Sequence, residues 1–564
     1  MRWTLKPQPN PEKVRHLAEA LNVDTVIASL LVQRGVETYE QARAFFRPTL
    51  DALHDPYLMK DMDKAVARIE QAIAGGEHIL VFGDYDVDGT TAVSLVSSYL
   101  KTLYPNVDTY IPDRYAEGYG VSFAGIDYAD DNGCTLIITL DCGIKSIDKV
   151  EYAKEKGIDF IICDHHRPGD TLPDAVAVLD PKRDDCTYPY DELCGCGVGF
   201  KLIQALAGNR DQTIFDLVPY LDLVATAIAA DIVPITGENR VLAKFGLDVI
   251  NTSPRPGIKA LIQNLKRKTL CISDVVFVIA PRINAAGRIR HGKHAVELLT
   301  EASLEQAEQF AAEIESLNAD RRDLDKQITA EALLQIEENN DHERFTTVVY
   351  HENWHKGVIG IVASRLTETY YRPTLVFTRS GEKLAASARS VKDFDIYNAL
   401  EACADHLEQF GGHMYAAGLT LHEEQYPHFR DKFEEVVKQT IAPELLTPEI
   451  SIDTEINLRD ITPKFNRILK QFEPFGPGNM TPVFLSRGLK DTGFGKPVGD
   501  GSHLRLTVKQ GGGEAFTAIG FGLAAKQHLA CDGEHFDAVY SVDENEWNGE
   551  VSLQLRLRDI RCED

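Results

Sequence analysis

The chain has 564 residues, too many for one hydrophobic core, and its composition of 44% hydrophobic and 26% charged residues excludes disordered and fibrous classes. A formal net charge of −27 argues against long-range attraction of nucleic acid, so we expect any nucleic-acid path to be a narrow basic groove on an acidic body. No apolar run reaches the roughly 20 residues that span a bilayer, no secretory signal opens the chain, and the ten scattered cysteines are typical of reduced thiols, so a cytoplasmic protein is expected.

The first half of the chain predicts a helical region followed by a layered α/β domain. The first fifty residues are predicted to be helical, with Pro56 marking the exit. From about residue 60 to 250, strand-like apolar runs alternate with amphipathic helical stretches such as Ala65–Ala74 and Lys145–Lys156. This alternation predicts a doubly wound, mostly parallel sheet.

A long helix is predicted between about Ala302 and Asn339, because this stretch lacks proline and glycine and is rich in Ala, Glu, Leu and Gln. Its length would be about 50 Å, and an interdomain strut is its simplest role. Two ordinary helices with a kink near Asn318 are the alternative. Just before it, residues 255–300 are predicted to be helical with an interrupting loop at 280–288.

The second half predicts a further α/β region and an all-β end. The α/β region begins at Thr346, and Pro443 and Pro448 mark its boundary. Short alternating strands such as Leu504–Val508 and glycine-rich turns then predict a small OB-like barrel, which the turn 475–479 is expected to join to the core. The predicted regions are an N-terminal helical region at 1–55, an α/β domain at 56–300, a connecting helix at 301–340, a smaller α/β domain at 341–446 and the OB-like domain at 447–564.

Four apolar runs of the first α/β domain end in carboxylate or imidazole side chains. Open α/β sheets place their chemistry at the carboxyl ends of the strands, so we expect these side chains to form one site at one sheet edge. The runs and the polar residues that follow them are Ile79–Phe82 with Asp84, Asp86 and Asp88, Leu136–Leu140 with Asp141, Phe160–Cys163 with Asp164, His165 and His166, and Thr226–Ala230 with Asp231.

This set of side chains favours a divalent metal. Carboxylates with one or two histidines favour Mn²⁺ or Mg²⁺ over a closed structural zinc site. Converging carboxylates would repel one another, and two ions about 3.5–4 Å apart would relieve this, activate a water and hold both oxygens of a phosphoryl displacement. Asp84, Asp86 and Asp88 share one parity and are expected to point the same way in an extended turn. For any one motif alone, a calcium-like turn or a helix cap is an equally good interpretation.

Several other segments are typical of phosphate binding. Glycines at predicted helix starts expose backbone N–H groups and a positive dipole end, although a glycine pair before a helix is usually only a turn. A fixed guanidinium can fork onto a phosphate, although a surface salt bridge is the ordinary interpretation of one arginine. The candidates are Arg114 after a strand, Arg282, Asn284 and Arg288 on the predicted loop 280–288, Ser387 and Arg389 in a predicted turn, and His355–Gly360 and Gly411–His413, each before a predicted helix.

Taken together, these motifs resemble a known family. Asp164-His165-His166 with the segment Asp84–Gly89 resembles the signature of the DHH phosphoesterase superfamily. A further resemblance, to its RecJ branch of single-strand-specific 5′→3′ DNA exonucleases, rests on Ile111–Gly120, Pro281–Arg288 and Gly411–Gly418. The last segment is similar to the accessory DHHA1 domain, so the resemblance implies a DHH domain at 56–300 and a DHHA1 domain at 341–446.

The resemblance covers about residues 60–480 and implies a role for each group. Asp86, Asp88, Asp141, His165 and Asp231 would be ligands of Mn²⁺ or Mg²⁺, with two ions expected. Asp84 would be an alternate or supporting ligand, and His166 would contact the phosphate or act as an acid near the leaving group. The implied phosphate and DNA contacts are Arg114, Arg282, Asn284, Arg288, His355, Ser387, Arg389, Gly412 and His413, with Ser387 and Arg389 capturing the 5′-terminal phosphate.

The implied activity is metal-dependent hydrolysis of single-stranded DNA, 5′→3′, to 5′-mononucleotides in DNA repair and recombination. Single-strand-binding protein and repair helicases are the candidate partners of an expected monomer. The enzymatic alternative is a DHH phosphodiesterase acting on short oligonucleotides or cyclic dinucleotides. The non-enzymatic alternative is a DHH scaffold in a replication or repair assembly.

Overall fold

The structure is a computed structural model that describes residues 1–267, 269–531, 535–547 and 549–562. Within the described residues, no helix combines the length and the apolar character needed to cross a membrane. The chain forms two compact units. The larger unit comprises Trp3–Ile283, Gly292–Ala311 and Ile450–Asp564, and the smaller one comprises Met1–Arg2, Asn284–His291 and Ala312–Glu449.

The N-terminal region is helical, as predicted, after one short strand. Asn10 and Asp24 cap the first two helices by accepting hydrogen bonds from backbone N–H groups, as short polar side chains do at helix starts. The elements are β1 (Arg2–Leu5), α1 (Pro11–Leu21), α2 (Thr25–Val32) and α3 (Tyr39–Phe46). Leu17 and Ile27 lie in the same buried cluster as Phe484 and Tyr540, so these helices share their core with the C-terminal domain.

A five-stranded parallel sheet follows, as the alternating pattern predicts. Its elements are α4 (Met62–Gly75), β2 (His78–Gly83), α5 (Val87–Leu103), β3 (Val107–Tyr110), α6 (Phe123–Asp131), β4 (Cys134–Leu140), α7 (Ile147–Glu155), β5 (Asp159–Cys163) and β6 (Ala177–Leu179). The strand order is β3-β2-β4-β5-β6. Gly83 pairs with Leu140, Leu140 with Cys163, and Cys163 with Leu179, so four strands end level with one another.

The next segment, from α8 to α15, contains only helices among its described residues. They are α8 (Gly195–Gly208), α9 (Leu221–Ala230), α10 (Gly237–Thr252), α11 (Pro256–Ile262), α12 (Ile272–Asp274), a π-helix (Val275–Ile279), α13 (Ala280–Ile289), α14 (Lys293–Thr300) and α15 (Leu304–Glu338). The long helix is confirmed as the single helix α15, and the two-helix alternative is wrong.

Two sequence predictions in this segment are wrong. The run Thr226–Ala230 belongs to α9, because a short apolar run has no periodicity that separates a strand from a buried helix. Residues 280–288 form α13 instead of a loop. The π-helix runs without a break into α13, so Pro281 lies inside a continuous helix beside the π-turn, which is a common site of proline in helices.

The smaller unit is built on a mixed sheet with strand order β10-β11-β9-β8-β7. Strands β7 and β8 are parallel, and the other neighbouring pairs are antiparallel. The elements are β7 (Thr347–Tyr350), α16 (Ile359–Tyr370), β8 (Thr374–Ser380), β9 (Lys383–Arg389), α17 (Ile396–Glu401), β10 (Gln409–His413), β11 (Ala416–His422) and α18 (Tyr426–Thr440).

Two local predictions for this unit are also wrong. Ser387 and Arg389 lie in strand β9 and not in a turn. Gly411–His413 lies in β10, which turns back into β11, and does not lead into a helix. The predicted helix after His355–Gly360 is confirmed as α16. Glycine pairs serve turns and strands as well as helix starts, so they do not separate these alternatives.

The C-terminal domain confirms the predicted OB-like barrel. Neighbouring strands pair in the order β14-β18-β19-β17-β16, and pairing of β14 with β16 closes the ring. The elements are β12 (Glu449–Ile452), β13 (Thr454–Glu455), α19 (Pro463–Lys470), β14 (Phe484–Asp491), β15 (Lys496–Val498), β16 (His503–Gln510), β17 (Phe516–Gly520), α20 (His528–Cys531), β18 (Phe536–Trp547) and β19 (Glu550–Cys562). Short 3-10 helices lie at Leu50–Ala52, Pro56–Leu58, Ile214–Tyr220, Asp341–Glu343, Ala404–His406, Glu423–Gln425, Pro443–Leu446, Leu458–Asp460 and Ala524–Lys526.

The turn at 475–479 joins the barrel to the α/β domain, as predicted. The Ile235 N–H donates to the Pro477 carbonyl at 2.7 Å. Arg240 on α10 is buried beside this turn. Its guanidinium donates to the carbonyls of Phe45, Gln471, Phe472, Glu473 and Pro474.

Candidate functional site

The level ends of the parallel strands bring most of the predicted metal ligands together. Asp84 follows β2, Asp141 follows β4, and His165 follows β5. Asp231 reaches the same place from the C-terminal end of helix α9, and not from a strand. Asp88 lies in the first turn of α5, so the extended turn expected for the first motif is wrong. These residues all belong to the larger unit.

The His165 imidazole lies at the centre of this cluster. Its Nε2 lies 3.1 Å from Asp141 Oδ1, 3.6 Å from Asp231 Oδ2 and 3.8 Å from Asp88 Oδ2. The His165 side chain is only 7% exposed, and Asp88 and Asp141 are buried further. Asp86 caps α5 by accepting from the Gly89 N–H at 2.9 Å. Sequence positions about 140 residues apart therefore converge on one imidazole nitrogen.

Helix α8 supports two of these carboxylates. Asp88 accepts hydrogen bonds from the backbone N–H groups of Gly195 at 2.6 Å and Cys196 at 2.7 Å. A helix N-terminus stabilises negative charge through its free N–H groups and its dipole. A Cβ on Gly195 would lie 2.5 Å from the Asp141 Cβ, so only glycine lets the helix approach this closely.

Asp164 holds the histidine pair in place. Its Oδ1 accepts from the His165 N–H at 2.8 Å and lies 2.7 Å from His166 Nδ1, and its Oδ2 accepts from the Ile144 N–H at 2.9 Å. Asp164 therefore holds the turn and the imidazole of His166. The other ring nitrogen of His166 lies 3.1 Å from the Tyr119 hydroxyl. His166 is half-exposed and thus open to a substrate.

The carboxylates of the cluster hold their protons unusually tightly. Burial, followed by repulsion from Asp86, raises the pKa of Asp88 to about 7 and that of Asp84 well above its ordinary value. Burial and the charges of Asp88 and Asp86 raise the pKa of Asp231 to about 8, and the same causes raise the pKa of Asp141 strongly. This repulsion is what a bound cation relieves.

The two histidines are shifted in opposite directions. Burial, with the charge of His166, lowers the pKa of His165 to about 3, so its imidazole is neutral at pH 7 and can act as a metal ligand. Partial burial acts to lower the pKa of His166, but the hydrogen bond and charge of Asp164 outweigh it and raise this pKa to about 9. Burial likewise opposes ionisation of Asp164, yet its bond to His166 holds its pKa at about 2.

The donor atoms fit a divalent cation. Asp84 Oδ2, Asp141 Oδ1 and His165 Nε2 are buried and make no hydrogen bond of regular geometry with the described residues. Buried polar atoms rarely stay unpaired, so these atoms are arranged for a group outside the chain. Ligand atoms of Asp88, His165 and Asp231 lie within 4.8 Å of one another, as do those of Asp141, His165 and His166. His166, expected at the phosphate, is thus also within metal-binding distance.

Sequence reasoning missed three contributors to this site. The N–H groups of Gly195 and Cys196 belong to a glycine-rich helix start, which is a usable signal. Asp180 follows β6 as the other acids follow their strands, and burial raises its pKa to about 7. The Tyr119 hydroxyl lies between His166 and the Asp141 carbonyl, and only the tertiary structure shows this contact.

The predicted phosphate contacts fall in both units. Arg114 stacks on the Tyr85 ring, with its guanidinium carbon 4.7 Å from the ring centroid, and its charge is among the smaller effects on the pKa of Asp84 after burial and Asp86. Arg114 therefore lies near the carboxylate cluster. Arg282 donates to the Val278 carbonyl at 2.7 Å and belongs to the larger unit, whereas Asn284 on the same helix belongs to the smaller one.

The smaller unit brings Ser387 and Arg389 to the start of α16. Arg389 Nη1 donates to Ser387 Oγ at 3.0 Å. A Cβ on Gly360 would lie 2.9 Å from Ser387 Oγ and 3.1 Å from Arg389 Nη2. Glycine at this position thus lets a hydroxyl and a guanidinium lie against the first turn of a helix, and we call these three residues the cradle. Such a combination suits a phosphate.

The remaining predicted contacts surround this part of the smaller unit. Arg288 donates to the Gly357 carbonyl at 3.0 Å, in the loop that leads into α16. In the same loop, the Gly357 N–H donates to His355 Nδ1 at 3.1 Å. Gly412 and His413 are exposed on β10, with His413 opposite Ala416 and Ala416 opposite Arg389. A Cβ on Gly412 would meet the Ala416 carbonyl oxygen at 2.4 Å, so glycine is required there.

Comparison with known families agrees with this architecture. The profile of the DHH family, N-terminal domain, matches residues 78–228. The DHHA1 domain matches residues 343–439, and the RecJ OB domain matches residues 452–559. The first match contains the members of the metal cluster from Asp84 to His166 and ends before Asp231, and the second contains the cradle.

Relatives match almost the whole chain. The single-stranded-DNA-specific exonuclease RecJ of Bacillus subtilis is 37% identical over 564 residues, which is 99% of this chain and 70% of that protein. RecJ of Salmonella typhimurium is 36% identical over 89% of this chain and 90% of its own length. The crystal structure of Thermus thermophilus RecJ with Mn²⁺ matches with a TM-score of 0.85 and 28% identity, over 100% of this chain and 80% of that one. The chain therefore belongs to the RecJ family of exonucleases.

Proposed function

We propose that the protein is a metal-dependent exonuclease that degrades single-stranded DNA 5′→3′ to 5′-mononucleotides during DNA repair and recombination. The observation that carries this proposal is the cluster of carboxylates around His165, in which Asp84 Oδ2 and Asp141 Oδ1 are buried without a hydrogen bond to the described residues. The curated RecJ relatives are single-stranded-DNA-specific exonucleases, which supports the substrate class.

The cluster would hold two Mn²⁺ or Mg²⁺ ions. Asp88, His165 and Asp231 form one group of ligand atoms, and Asp141 Oδ1 approaches the same His165 imidazole at 3.1 Å. Asp86 and Asp84 complete the proposed set, because Asp86 acts on the pKa of Asp84, Asp88, Asp141 and Asp231 and therefore lies among them. Bound divalent ions activate water and stabilise the charge that develops on phosphoryl oxygens. Crystal structures of Thermus thermophilus RecJ with Mn²⁺ and with Mg²⁺ support both ions.

Side chains of the protein supply the other functions that the reaction needs. Neutral His165 binds as a ligand, and the N-terminus of α8 favours the ionised form of Asp88 against the opposing effect of burial. His166 is half-exposed, and Asp164 keeps it protonated with a pKa of about 9. His166 therefore donates a hydrogen bond or a proton to the substrate phosphate or the leaving 3′-oxygen. Arg114 adds a fixed positive charge near the same carboxylates.

Polarity would come from the cradle in the smaller unit. Ser387 and Arg389 offer a hydroxyl and a guanidinium beside Gly360, at the positive end of the α16 dipole. A 5′-terminal phosphate carries more negative charge than an internal phosphodiester and suits this combination. We propose Arg282, Asn284, Arg288, His355, Gly412 and His413 as further contacts to the strand.

The proposal is tested by digesting 5′-labelled and 3′-labelled single and double strands with and without Mn²⁺. We expect the 5′ label to be released first as a mononucleotide, only from single strands and only with the metal. Early release of the 3′ label would contradict the polarity. Equal digestion of duplex would contradict the strand specificity, and preference for dinucleotides would favour a short-oligonucleotide phosphodiesterase.

Variants connect the activity to the cluster. Asp86→Ala and His165→Ala are each expected to lower nucleotide release more than about 100-fold, since ligand loss exceeds the effect of losing a supporting residue. Asp63→Ala is the matched control, because Asp63 is an exposed acid in the first turn of α4. Circular dichroism checks that each variant is folded. Full activity of either ligand variant would overturn the metal assignment.

Partners and cellular location complete the proposal. We propose single-strand-binding protein and repair helicases as partners of a monomer that acts in the cytoplasm. The DNA substrate supports the partners, since these proteins produce or cover single strands. Sedimentation of the purified protein tests the monomeric state, and co-purification from cells tests the partners.

A further inference from the structure

The Tyr119 side chain has a position that packing does not explain. It lies between β3 and α6, next to Gly118 and Gly120, which have φ values of +86° and +82°. The residue is 56% exposed, so burial of its ring stabilises the fold little. Its ring lies edge-on to His166, with centroids 5.9 Å apart, and edge-on to Tyr85 at 6.3 Å.

The hydroxyl of Tyr119 connects two parts of the metal cluster. It lies 3.1 Å from His166 Nε2 and donates to the Asp141 carbonyl at 3.3 Å. His166 Nδ1 is occupied by Asp164 at 2.7 Å, so Nε2 is the nitrogen that can address a substrate. Both ring nitrogens of His166 are therefore held, one by a carboxylate and one by a phenol.

The segment that carries Tyr119 is itself fixed. Glu117 accepts from the Asp113 N–H at 2.7 Å and from the hydroxyls of Tyr110 and Ser122 at 3.0 and 2.5 Å. The Gly120 N–H donates to Asp84 Oδ1 at 3.2 Å. A phenol on so constrained a segment can orient an imidazole, whereas one on a freely moving side chain could not.

We propose that Tyr119 is a positioning residue that acts through His166. Its hydroxyl holds the imidazole with Nε2 directed at the phenol, and it releases this nitrogen to the substrate when a phosphate arrives. Asp164 and Tyr119 together then determine the orientation of the ring, since each contacts one nitrogen. This inference rests on the proposed function, because it assigns His166 a contact to substrate.

The test is a double-mutant cycle of Tyr119→Phe and His166→Ala on 5′-phosphorylated single-stranded DNA with Mn²⁺. We expect Tyr119→Phe to lower kcat about 10- to 100-fold with KM unchanged, as loss of an orienting partner does. In the His166→Ala background the same change is expected to cost nothing, because the group it positions is gone. Single-turnover measurements at high enzyme concentration keep the slow variants measurable.

Tyr128→Phe is the matched control. Tyr128 lies on α6, its ring packs against Tyr110, and it is outside the cluster, so removal of its hydroxyl should leave kcat unchanged. Mn²⁺ affinity of Tyr119→Phe, measured by calorimetry without DNA, is expected to equal that of the wild type. A weaker Mn²⁺ affinity would show that the hydroxyl acts through Asp141, and it would overturn the proposal.

The remaining outcomes are decisive and separable. Equal losses from Tyr119→Phe in both backgrounds, or no loss in either, would overturn the positioning role while the exonuclease assignment stands. A wild-type protein that releases no nucleotide would overturn the proposed function and this inference with it. Full activity of His166→Ala would overturn the role of His166, on which Tyr119 depends.

Discussion

The Asp88 carboxylate accepts a 2.6 Å hydrogen bond from the backbone N–H of Gly195, 107 positions later in the chain. Gly195 opens α8, and its lack of a side chain also lets Asp141 lie against the same turn. One glycine therefore positions two carboxylates of the metal cluster. The helix N-terminus stabilises the ionised form of Asp88, which a metal ligand requires.

Gly195→Ala is expected to weaken Mn²⁺ binding and lower nuclease activity about 10- to 100-fold, the usual effect of disturbing groups that support a metal ligand. The added Cβ would lie 2.8 Å from Asp141 Oδ1 and must displace that carboxylate. Calorimetric Mn²⁺ titration and nucleotide release measure the effect. Gly208→Ala at the other end of α8 is the control, since a Cβ there meets nothing within 4 Å. Equal activity of the two variants would contradict the argument.

The metal-free protein is expected to lose stability as pH rises from about 6.5 to 8.5. Asp88 and Asp231, with folded pKa values of about 7 and 8, hold protons that the unfolded chain has released above its pKa of about 3.9. His166, with a folded pKa of about 9, contributes stability below pH 6.5 that is lost as pH rises through 9. The pKa of His165 is lowered to about 3, so this residue affects the stability only at pH values below this range.

Thermal unfolding in EDTA between pH 6.5 and 8.5 measures this dependence. Added Mg²⁺ or Mn²⁺ is expected to raise the Tm most at the upper end, because the ions replace protons on the same carboxylates. Asp231→Asn should show a shallower fall in EDTA, since one raised carboxyl group is gone. A Tm that rises with pH in EDTA would contradict the electrostatic description of the cluster.

Gly360→Ala is expected to abolish a preference for 5′-phosphorylated over 5′-hydroxyl strands. The new Cβ would lie 2.9 Å from Ser387 Oγ and 3.1 Å from Arg389 Nη2, so it must displace the two groups that are proposed to bind the terminal phosphate. Loss of charge-assisted hydrogen bonds corresponds to about 10- to 100-fold in KM. Competition between the two strands measures the ratio. Arg379→Ala, on β8 and paired with Glu423, removes an arginine from the same sheet and should leave the ratio unchanged.

Arg240→Met is expected to lower the free energy of unfolding by about 3 kcal/mol, because buried carbonyls lose their donors. The guanidinium bonds five carbonyls that belong to α3 and to the segment after α19, so it joins three parts of the larger unit. Urea unfolding measures the change. Arg43→Met is the control, since Arg43 is exposed on α3. Its free energy of unfolding should differ from that of the wild type by no more than about 0.5 kcal/mol. A similar result for both variants would contradict a joining role for Arg240.

The local pattern of the sequence predicts the parallel sheet and its reactive edge. Buried parallel strands appear in the sequence as continuous apolar runs. The acids that directly follow Leu140 and Cys163 are therefore easy to recognise as strand ends. The long helix α15 and the OB-like barrel were equally visible from composition and alternation. The motifs also sufficed to indicate the family, because several segments of unusual sequence occur in one order.

The wrong predictions concern segments whose local sequence does not determine their secondary structure. Thr226–Ala230 forms a helix because tertiary packing, and not its five residues, decides between two buried conformations. Residues 280–288 and the strand carrying Ser387 were misassigned because proline, glycine and serine occur in helix starts, strands and turns alike. These errors concern the local structure around the candidate residues, whose roles stay predictions.

The sequence by itself determined the chemistry available at the sheet edge, because ligand type and strand ends are local properties. The tertiary structure alone decided which atoms meet: the α8 amides on Asp88, the Tyr119 hydroxyl at His166, and the three parts joined by Arg240. It also decided that the N-terminal helices share a core with a barrel more than 400 positions away. Contacts between distant segments depend on how whole elements pack, and no short stretch of sequence encodes that packing.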